Sequence, residues 1–410
     1  MKILVDARQI SGKNGGVQQA IQGLAYSFKE ADFVDLEFVW LMYDGHSNWL
    51  EEYLPRKSSV FLLKSPKSRK SLITKFVNLV RRIKYLELVV AKSRIFKPFK
   101  FELPDMDKFI LDLKPDLVHF TSQFGFSTRL PNIYQPHDLQ HLHFPKYFTA
   151  ENIYAREIIY TKMIKQANCV VVGNQWTLDD FLDNFKDLKN KIYNVPVYFR
   201  PLPKETKTNI LQTKFTNYVY YPAAGWPHKN HAILFEAIAL LKERKVEVKL
   251  VLTGALLVTN KSICKLIEKF NLSEDVEILG YVSDSQQSEI FKNSSLIVIP
   301  TLFESASFPV WEAFYFSKPV LVSNVTSLPS QVQGAAMLFD PNNANELAER
   351  ISEFLTNSNL SQEYSNRGKE RLVKLTPFNT ALGYRFVYRR SLDANLDELD
   401  ELWLSNGFWF

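Results

Sequence analysis

The chain has 410 residues, 46% of them apolar and 23% charged, with a net charge of +6, a balance that fits a globular protein of two to three domains and excludes a disordered one. Two cysteines, Cys169 and Cys264, exclude a disulfide framework and read as reduced core thiols. No apolar run approaches the ~18 residues of a spanning helix, and the chain enters a strand at its first residues, so a cytoplasmic protein with neither leader nor membrane span is expected.

In chain order, Lys2 to Asp6 predicts a first strand and Val17 to Lys29 a helix, joined by the glycine-rich turn Gln9 to Gly16, QISGKNGG. Such a turn gathers backbone N–H groups and a helix N-terminus at one point, which favours an anion. Its spacing matches neither the dinucleotide fingerprint nor the Walker loop, and Gly15-Gly16 would serve equally to permit a tight turn. Asp35 to Tyr43 alternates as a second strand. From Lys64 to Lys100 twelve basic residues face the single acid Glu87, which outweighs the whole net excess. Leu72, Phe76, Leu79, Ile83, Leu86 and Val90 recur there at helical spacing. Two readings of this basic amphipathic segment stand side by side. Its stripe packs on the domain with the charges solvated, or it lies on an anionic membrane at roughly 1 kcal/mol per basic residue. No nucleic-acid module accompanies the charge, so nucleic acid is not expected as a partner.

From Asp116 the pattern becomes strand (DLVHFTS), strand (NIYQPHD), helix (Ala150 to Gln166), strand (Asn168 to Gly173), helix (Trp176 to Phe185) and strand (Lys191 to Val195). Strands alternating with helices imply a parallel, doubly wound sheet. His137, His141 and His143 cluster in QPHDLQHLHFP, a loop bracketed by Pro136 and Pro145. The His137 to His141 interval copies helical zinc ligands without the glutamate of that motif, so a polar lip at the strand's carboxyl end is preferred, with His137 foremost.

Val195 to Lys214, with three prolines and no period, reads as the linker. A second alternation follows: strand Tyr218 to Pro222, helix Ala232 to Lys242, strand Val248 to Thr253, helix Lys261 to Phe270, strand Val276 to Leu279 and helix Ser285 to Lys292. The stretch Leu296 to Val322, LIVIPTLFESASFPVWEAFYFSKPVLV, is then one βαβ unit with Glu304 in its loop and Glu312 on its helix. Beyond it come strand Ala336 to Phe339 and helices Asn345 to Leu355, Ser361 to Leu375 and Pro377 to Arg390. The last residues, LDELDELWLSNGFWF, read as a loosely ordered acidic and aromatic tail, or one whose Trp403, Trp409 and Phe410 pack on the body or a partner.

Open α/β sheets hold ligands at the carboxyl ends of their strands. Three pieces of the second half should meet there: Lys229 in GWPHKNH, Thr253-Gly254, and the loop from Glu304 to Glu312. A lysine and helix N-terminal amides would hold a diphosphate, and two carboxylates would accept hydrogen bonds from sugar hydroxyls. That combination suits a sugar nucleotide better than free phosphate.

FESASFPVWEAFYFSKPVLVSNVTSLPSQV resembles the donor-site signature of family 4 retaining glycosyltransferases, two glutamates with seven positions between them, one of these a proline. WPHKNH, PHDLQHLHFP and the GG-containing turn resemble further motifs of that family, in the same order, over residues 1 to 390. The resemblance implies the α/β GT-B fold, two Rossmann-like domains facing a cleft with a last helix crossing back. It divides the chain into an acceptor-side domain (1–200), a nucleotide-sugar domain (201–375) and a crossing helix with tail (376–410). It also implies that His137 and Glu304 act on the transferred sugar, that Glu312 binds the donor ribose and Lys229 the diphosphate, and that backbone amides from Ser307 to Pro309 cap the phosphates. Gly15, Gly16, Gly254, Ser305, Ala306, Ser307 and Phe308 complete the donor set. No metal or cofactor is implied; the nucleotide sugar is a substrate and the acceptor a glycan or lipid-linked glycan. The chain departs from the pattern at Ser305 and Ser307, where glycines are common, at Ser330, where an acid is frequent, and at Ala224, where an arginine stands in the family. Arg8 or His228 would be the replacement cation. The expected activity is transfer of a hexose, GDP-mannose being the first donor to consider; the alternatives are a non-catalytic binding subunit and a sugar-nucleotide epimerase.

Overall fold

The structure, a computed structural model, describes residues 1–10, 15–65, 102–204 and 213–406. The basic segment falls almost wholly outside these, as do residues 11–14 of the glycine-rich turn, part of the linker, and Trp409 and Phe410.

Among the described residues the first half forms a seven-stranded sheet in the order β3 (Ser58–Leu63), β2 (Glu37–Tyr43), β1 (Lys2–Asp6), β4 (Leu117–Phe120), β5 (Asn132–Tyr134), β6 (Cys169–Val172), β7 (Ile192–Asn194). The second forms a six-stranded sheet ordered β10 (Val276–Gly280), β9 (Leu250–Thr253), β8 (Val219–Pro222), β11 (Leu296–Ile299), β12 (Val320–Ser323), β13 (Met337–Phe339). Every strand pair in both is parallel. Parallel sheets are covered on both faces, which is why CVVV and LIVI are unbroken apolar runs, and why LVHF and VLVS, apolar but for His119 and Ser323, are likewise buried at every residue.

Helices α1 (Gly15–Ala31), α2 (Ala150–Gln166) and α3 (Gln175–Asn184) pack on the first sheet. In the second half follow α4 (His231–Glu243), α5 (Lys261–Lys269), α6 (Asp284–Asn293), α7 (Phe308–Tyr315), α8 (Ala344–Thr356) and α9 (Ser358–Val373). The strand order reverses between β1 and β4 in one sheet and between β8 and β11 in the other. Chain leaving those four strands therefore diverges to opposite faces and leaves a crevice at each switch point.

Helix α10 (Pro377–Ser391) crosses back to the first half. Its Leu382, Tyr384, Val387 and Tyr388 share a core with Ile3, Val5, Ile21 and Phe28, and Tyr388 stacks on Phe28 at 5.8 Å. Each such side chain contributes about 1.5–3 kcal/mol by leaving water, enough together to fasten the chain's end to its beginning.

Of the two readings of the tail, packing on the body holds for Trp403: the segment forms α11 (Glu398–Asn406), with Trp403 buried against α10; a Cβ on Gly383 would sit 2.7 Å from the indole, so glycine is what lets the ring reach the backbone. Fully buried Asp400 bonds Arg389 at 2.7 Å, and Arg385 bonds Asp397 at 2.6 Å and Asp35 at 2.9 Å. Three other sequence expectations change. Edge strand β3 was not anticipated because it is half-exposed and lacks a buried stripe. The histidine loop contains a helical turn, Gln140–His143. Cys264 is exposed on α5, whose only buried residue is Ile263; Cys169 alone is a core thiol.

Candidate active site

Hydrogen bonds lace the loops after β8 and β11 together. The His228 carbonyl accepts from Leu302 N–H at 2.7 Å and from the Thr301 hydroxyl at 3.0 Å, while the Tyr221 hydroxyl donates to the Lys229 carbonyl at 2.8 Å. This lacing carries Lys229 to Glu304, and the two side chains form an ion pair. The Glu304 carbonyl is pinned by the Thr326 and Ser327 hydroxyls at 2.6 and 2.9 Å. Burial pushes the Glu304 carboxyl above the usual range, and Lys229 opposes that shift.

Glu312 lies elsewhere. On α7 and 2% exposed, it accepts from Gln287 Nε2 at 3.3 Å and, from across the halves, Gln19 Nε2 at 3.5 Å. Burial pushes its carboxyl up to about 7, with Arg200 lowering it and Asp284 raising it. Arg200 itself bonds Asp284 at 2.8 Å and the Tyr53 hydroxyl at 3.1 Å. The sequence grouped Lys229 with both carboxylates; the fold gives it to Glu304 alone.

Two further corrections concern the groups expected to bind phosphate. The Ser307 N–H donates to Gln331 Oε1 at 2.9 Å while Gln331 Nε2 donates back to the Ser307 carbonyl at 2.7 Å, so that amide is engaged. Neither cation offered in place of the missing arginine is free: Arg8 is held bidentately by Asp6 at 2.7 and 2.8 Å, and burial pushes the His228 imidazole down to about 3, which keeps it neutral. Gly254, at φ +140, is required by the fold, since a Cβ would sit 2.5 Å from the Ala223 carbonyl oxygen. At Gly15 and Gly16 a Cβ would meet no atom of the described residues within 4 Å.

On the first half the three histidines separate. His137, in the left-handed region at φ +71, donates from Nε2 to the Thr121 carbonyl at 2.8 Å; burial lowers its pKa, so the ring is neutral with Nδ1 as acceptor. His141 stacks on Tyr160 at 5.2 Å, and His143 bonds Asp180 at 2.8 Å. The zinc geometry does not form, and among the described residues no three His, Cys, Asp or Glu side chains are grouped to hold a metal ion.

A cavity of about 210 Å³ opens where the halves meet. The first half contributes Gly16, Gln135, His137, Asp138 and Asn174, and the second Glu304, Ser305, Ala306, Phe308 and Gln331. Gly15, Lys229, Gly254, Ser307 and Glu312 stand outside its lining. Asn174 caps α3 through Oδ1 and turns its Nδ2 to the Ser305 carbonyl, and Phe303 sits among His143, Phe144 and Trp176 at 5.6 to 6.0 Å. The first half thus grips the residues on either side of Glu304. Gln135, Asp138, Asn174 and Gln331 were not singled out from sequence. The first three follow β5 and β6 at the sheet's carboxyl edge, and that position was the available signal.

Two parallel doubly wound sheets with a shared cleft and a helix returning from the second half to the first are the GT-B architecture. Anabaena HepE, solved in complex with UDP and glucose, superposes with a TM-score of 0.64 at 17% identity, over 94% of this chain and 98% of that one. Residues 204–371 match the family model for glycosyl transferases group 1. O-antigen chain mannosyltransferase B of Escherichia coli is 23% identical over 256 residues, 58% of this chain and 67% of that protein. An uncharacterized glycosyltransferase of Methanocaldococcus jannaschii is 30% identical over 179 residues, 43% of this chain and 49% of its own length. The second half of the chain thus resembles the group 1 glycosyltransferases, and mannosyltransferases are among the proteins it is similar to.

Proposed function

We propose that the protein is a retaining, metal-independent hexosyltransferase that uses a nucleotide sugar, GDP-mannose first, and a polysaccharide or lipid-linked glycan acceptor. The observation that carries this reading is the Lys229–Glu304 pair at the switch point of the second sheet, with Glu304 and neutral His137 lining one cavity. Lys229 neutralises the leaving diphosphate, assisted by the amides of Ser305, Ala306 and Phe308. Glu304 accepts hydrogen bonds from hydroxyls of the transferred sugar, and His137 Nδ1 accepts another. Glu312 takes the ribose hydroxyls, and the turn at Gly15 and Gly16 approaches the donor phosphate or the acceptor. The bond from the anomeric carbon to the diphosphate oxygen breaks as the acceptor oxygen bonds to that carbon on the same face. The acceptor's proton passes to the departing phosphate oxygen. The mannosyltransferase relative favours mannose, whereas the neighbour solved with UDP and glucose keeps uridine donors in the test.

A thermal-shift panel of UDP-, GDP- and ADP-sugars tests the reading, because a ligand that binds the folded state raises its stability. One donor class raising the melting temperature supports it; no shift with any of them contradicts it. The second reading, a binding subunit without turnover, is favoured by Ala224 together with the engaged Arg8 and neutral His228. Tight donor binding with no sugar release would select it. The basic segment 64–100 marks an anionic membrane as the acceptor's setting; pelleting with anionic but not neutral vesicles at low salt is the expected result, and equal pelleting with both counts against it.

A further inference from the structure

One residue of the cavity is oriented from behind by the crossing helix. Gln135 follows β5, is 4% exposed, and donates its backbone N–H to the Phe120 carbonyl at 2.8 Å. Its Oε1 lies 3.1 Å from Nε2 of His119, a fully buried imidazole whose Nδ1 lies 3.0 Å from the Tyr388 hydroxyl of α10. Burial pushes His119 down to about 3, so the ring is neutral and carries one donor and one acceptor. With the Tyr388 hydroxyl donating to Nδ1, Nε2–H donates to Gln135 Oε1. The Tyr384 ring packs on His119 at 5.4 Å, and its buried hydroxyl approaches Gln135 without closing a hydrogen bond. The Gln135 oxygen is thereby committed to His119, and its amide nitrogen, which carries two hydrogens, has the Tyr384 hydroxyl for a neighbour and the cavity that the side chain lines.

Close to it in sequence the same cavity is lined by two acceptors, His137 Nδ1 and the Asp138 carboxylate, while the Asn174 amide is turned to the Ser305 carbonyl. A sugar hydroxyl both donates and accepts. Vicinal hydroxyls in one configuration satisfy acceptors and a fixed donor together, and an epimer satisfies only part of the set. We propose that Gln135 determines which hexose is transferred, its amide N–H donating to a hydroxyl of the donor sugar, with His119 and Tyr388 as positioning residues that hold the amide in that sense. This rests on the glycosyltransferase reading above. It assigns a task to α10 beyond fastening the two halves: the helix reaches the sugar through two buried hydrogen bonds.

The test measures affinity and turnover for a panel of nucleotide sugars differing in hexose configuration, with the matching nucleoside diphosphate as reference. It compares the wild type with Gln135→Glu and Tyr388→Phe. Gln135→Glu keeps the oxygen for His119 and removes the N–H donors; the preference between the best hexose and its epimers is expected to fall by about tenfold or more, with diphosphate affinity unchanged. Tyr388→Phe keeps the ring and releases the imidazole, and is expected to erode the same preference by a smaller factor, again without changing diphosphate affinity. A merely structural role would move both ligands together. Variants that discriminate hexoses as well as the wild type overturn this proposal alone. A wild type that neither binds nor turns over any of the donors overturns the transfer reading and this proposal with it.

Discussion

Glu304 and Glu312 sit on the same loop and helix, seven residues between them, and the fold treats their charges in opposite ways. Both carboxyls are pushed up by burial. Glu304 is given a cation, Lys229, and its backbone is pinned by Thr326 and Ser327. Glu312 is given only the neutral amides of Gln19 and Gln287, one from each half, with Arg200 turned mainly to Asp284. A buried carboxylate paired with a cation stays charged and oriented through a reaction, whereas one held by amides takes up a proton near neutrality. In the function proposed above, the first arrangement suits the reacting sugar, and the second a ligand group whose own hydroxyls supply the missing donors.

The comparison breaks most visibly at Glu304. Replacing it with alanine should slow sugar transfer by about 100-fold or more, the scale of a lost preorganised electrostatic contact, with circular dichroism and melting showing an intact fold. Lys229→Ala leaves a buried carboxylate without its cation and should cost about 3 kcal/mol of stability in denaturant unfolding. Adding Glu304→Ala to it should restore part of that loss, so the double-mutant cycle reads a coupling well above zero.

At Glu312 the readout is pH. Its folded pKa of about 7 lies above the usual carboxyl value. The folded state therefore binds the proton more tightly, and the stability this contributes is fully present below the unfolded pKa and lost as pH rises through about 7. Between about pH 5 and pH 8 the wild type should lose stability relative to Glu312→Gln, whose curve should be flatter. Parallel curves would show that Glu312 is ionised throughout. The smallest effect is expected at Gln19→Ala: removing a donor to the ionised form should shift the midpoint of that pH dependence upward and cost about 0.5–1.5 kcal/mol, read in the same melts above neutrality.

Features written in local chemistry were legible in the sequence. Unbroken runs such as LIVI and CVVV announce parallel strands, and Glu304, Glu312 and Lys229 stand out because a loop at a strand's carboxyl end is where such groups gather. What escaped depends on partners far along the chain. The acidic tail could not be decided between loose and packed because Asp397 and Asp400 find their arginines on the preceding helix, and Trp403 its seat at Gly383, only once the chain has turned back. Asn174 reads as an ordinary helix cap, and nothing local says that its amide reaches Ser305. Arg8 and His228 looked available as cations because Asp6 and burial are not visible as their fates until side chains have places. Strand β3 was lost for the opposite reason, an edge position that leaves its pattern weak.

The central claim is that the Lys229–Glu304 pair serves sugar transfer, and nucleoside diphosphate release from a panel of nucleotide sugars, with and without glycan acceptors, tests it most directly. The wild type should release diphosphate from one donor class, faster with acceptor, and Glu304→Ala should do so about 100-fold more slowly or less with the fold intact. Equal release by the two proteins, or tight donor binding by the wild type without any release, would contradict it.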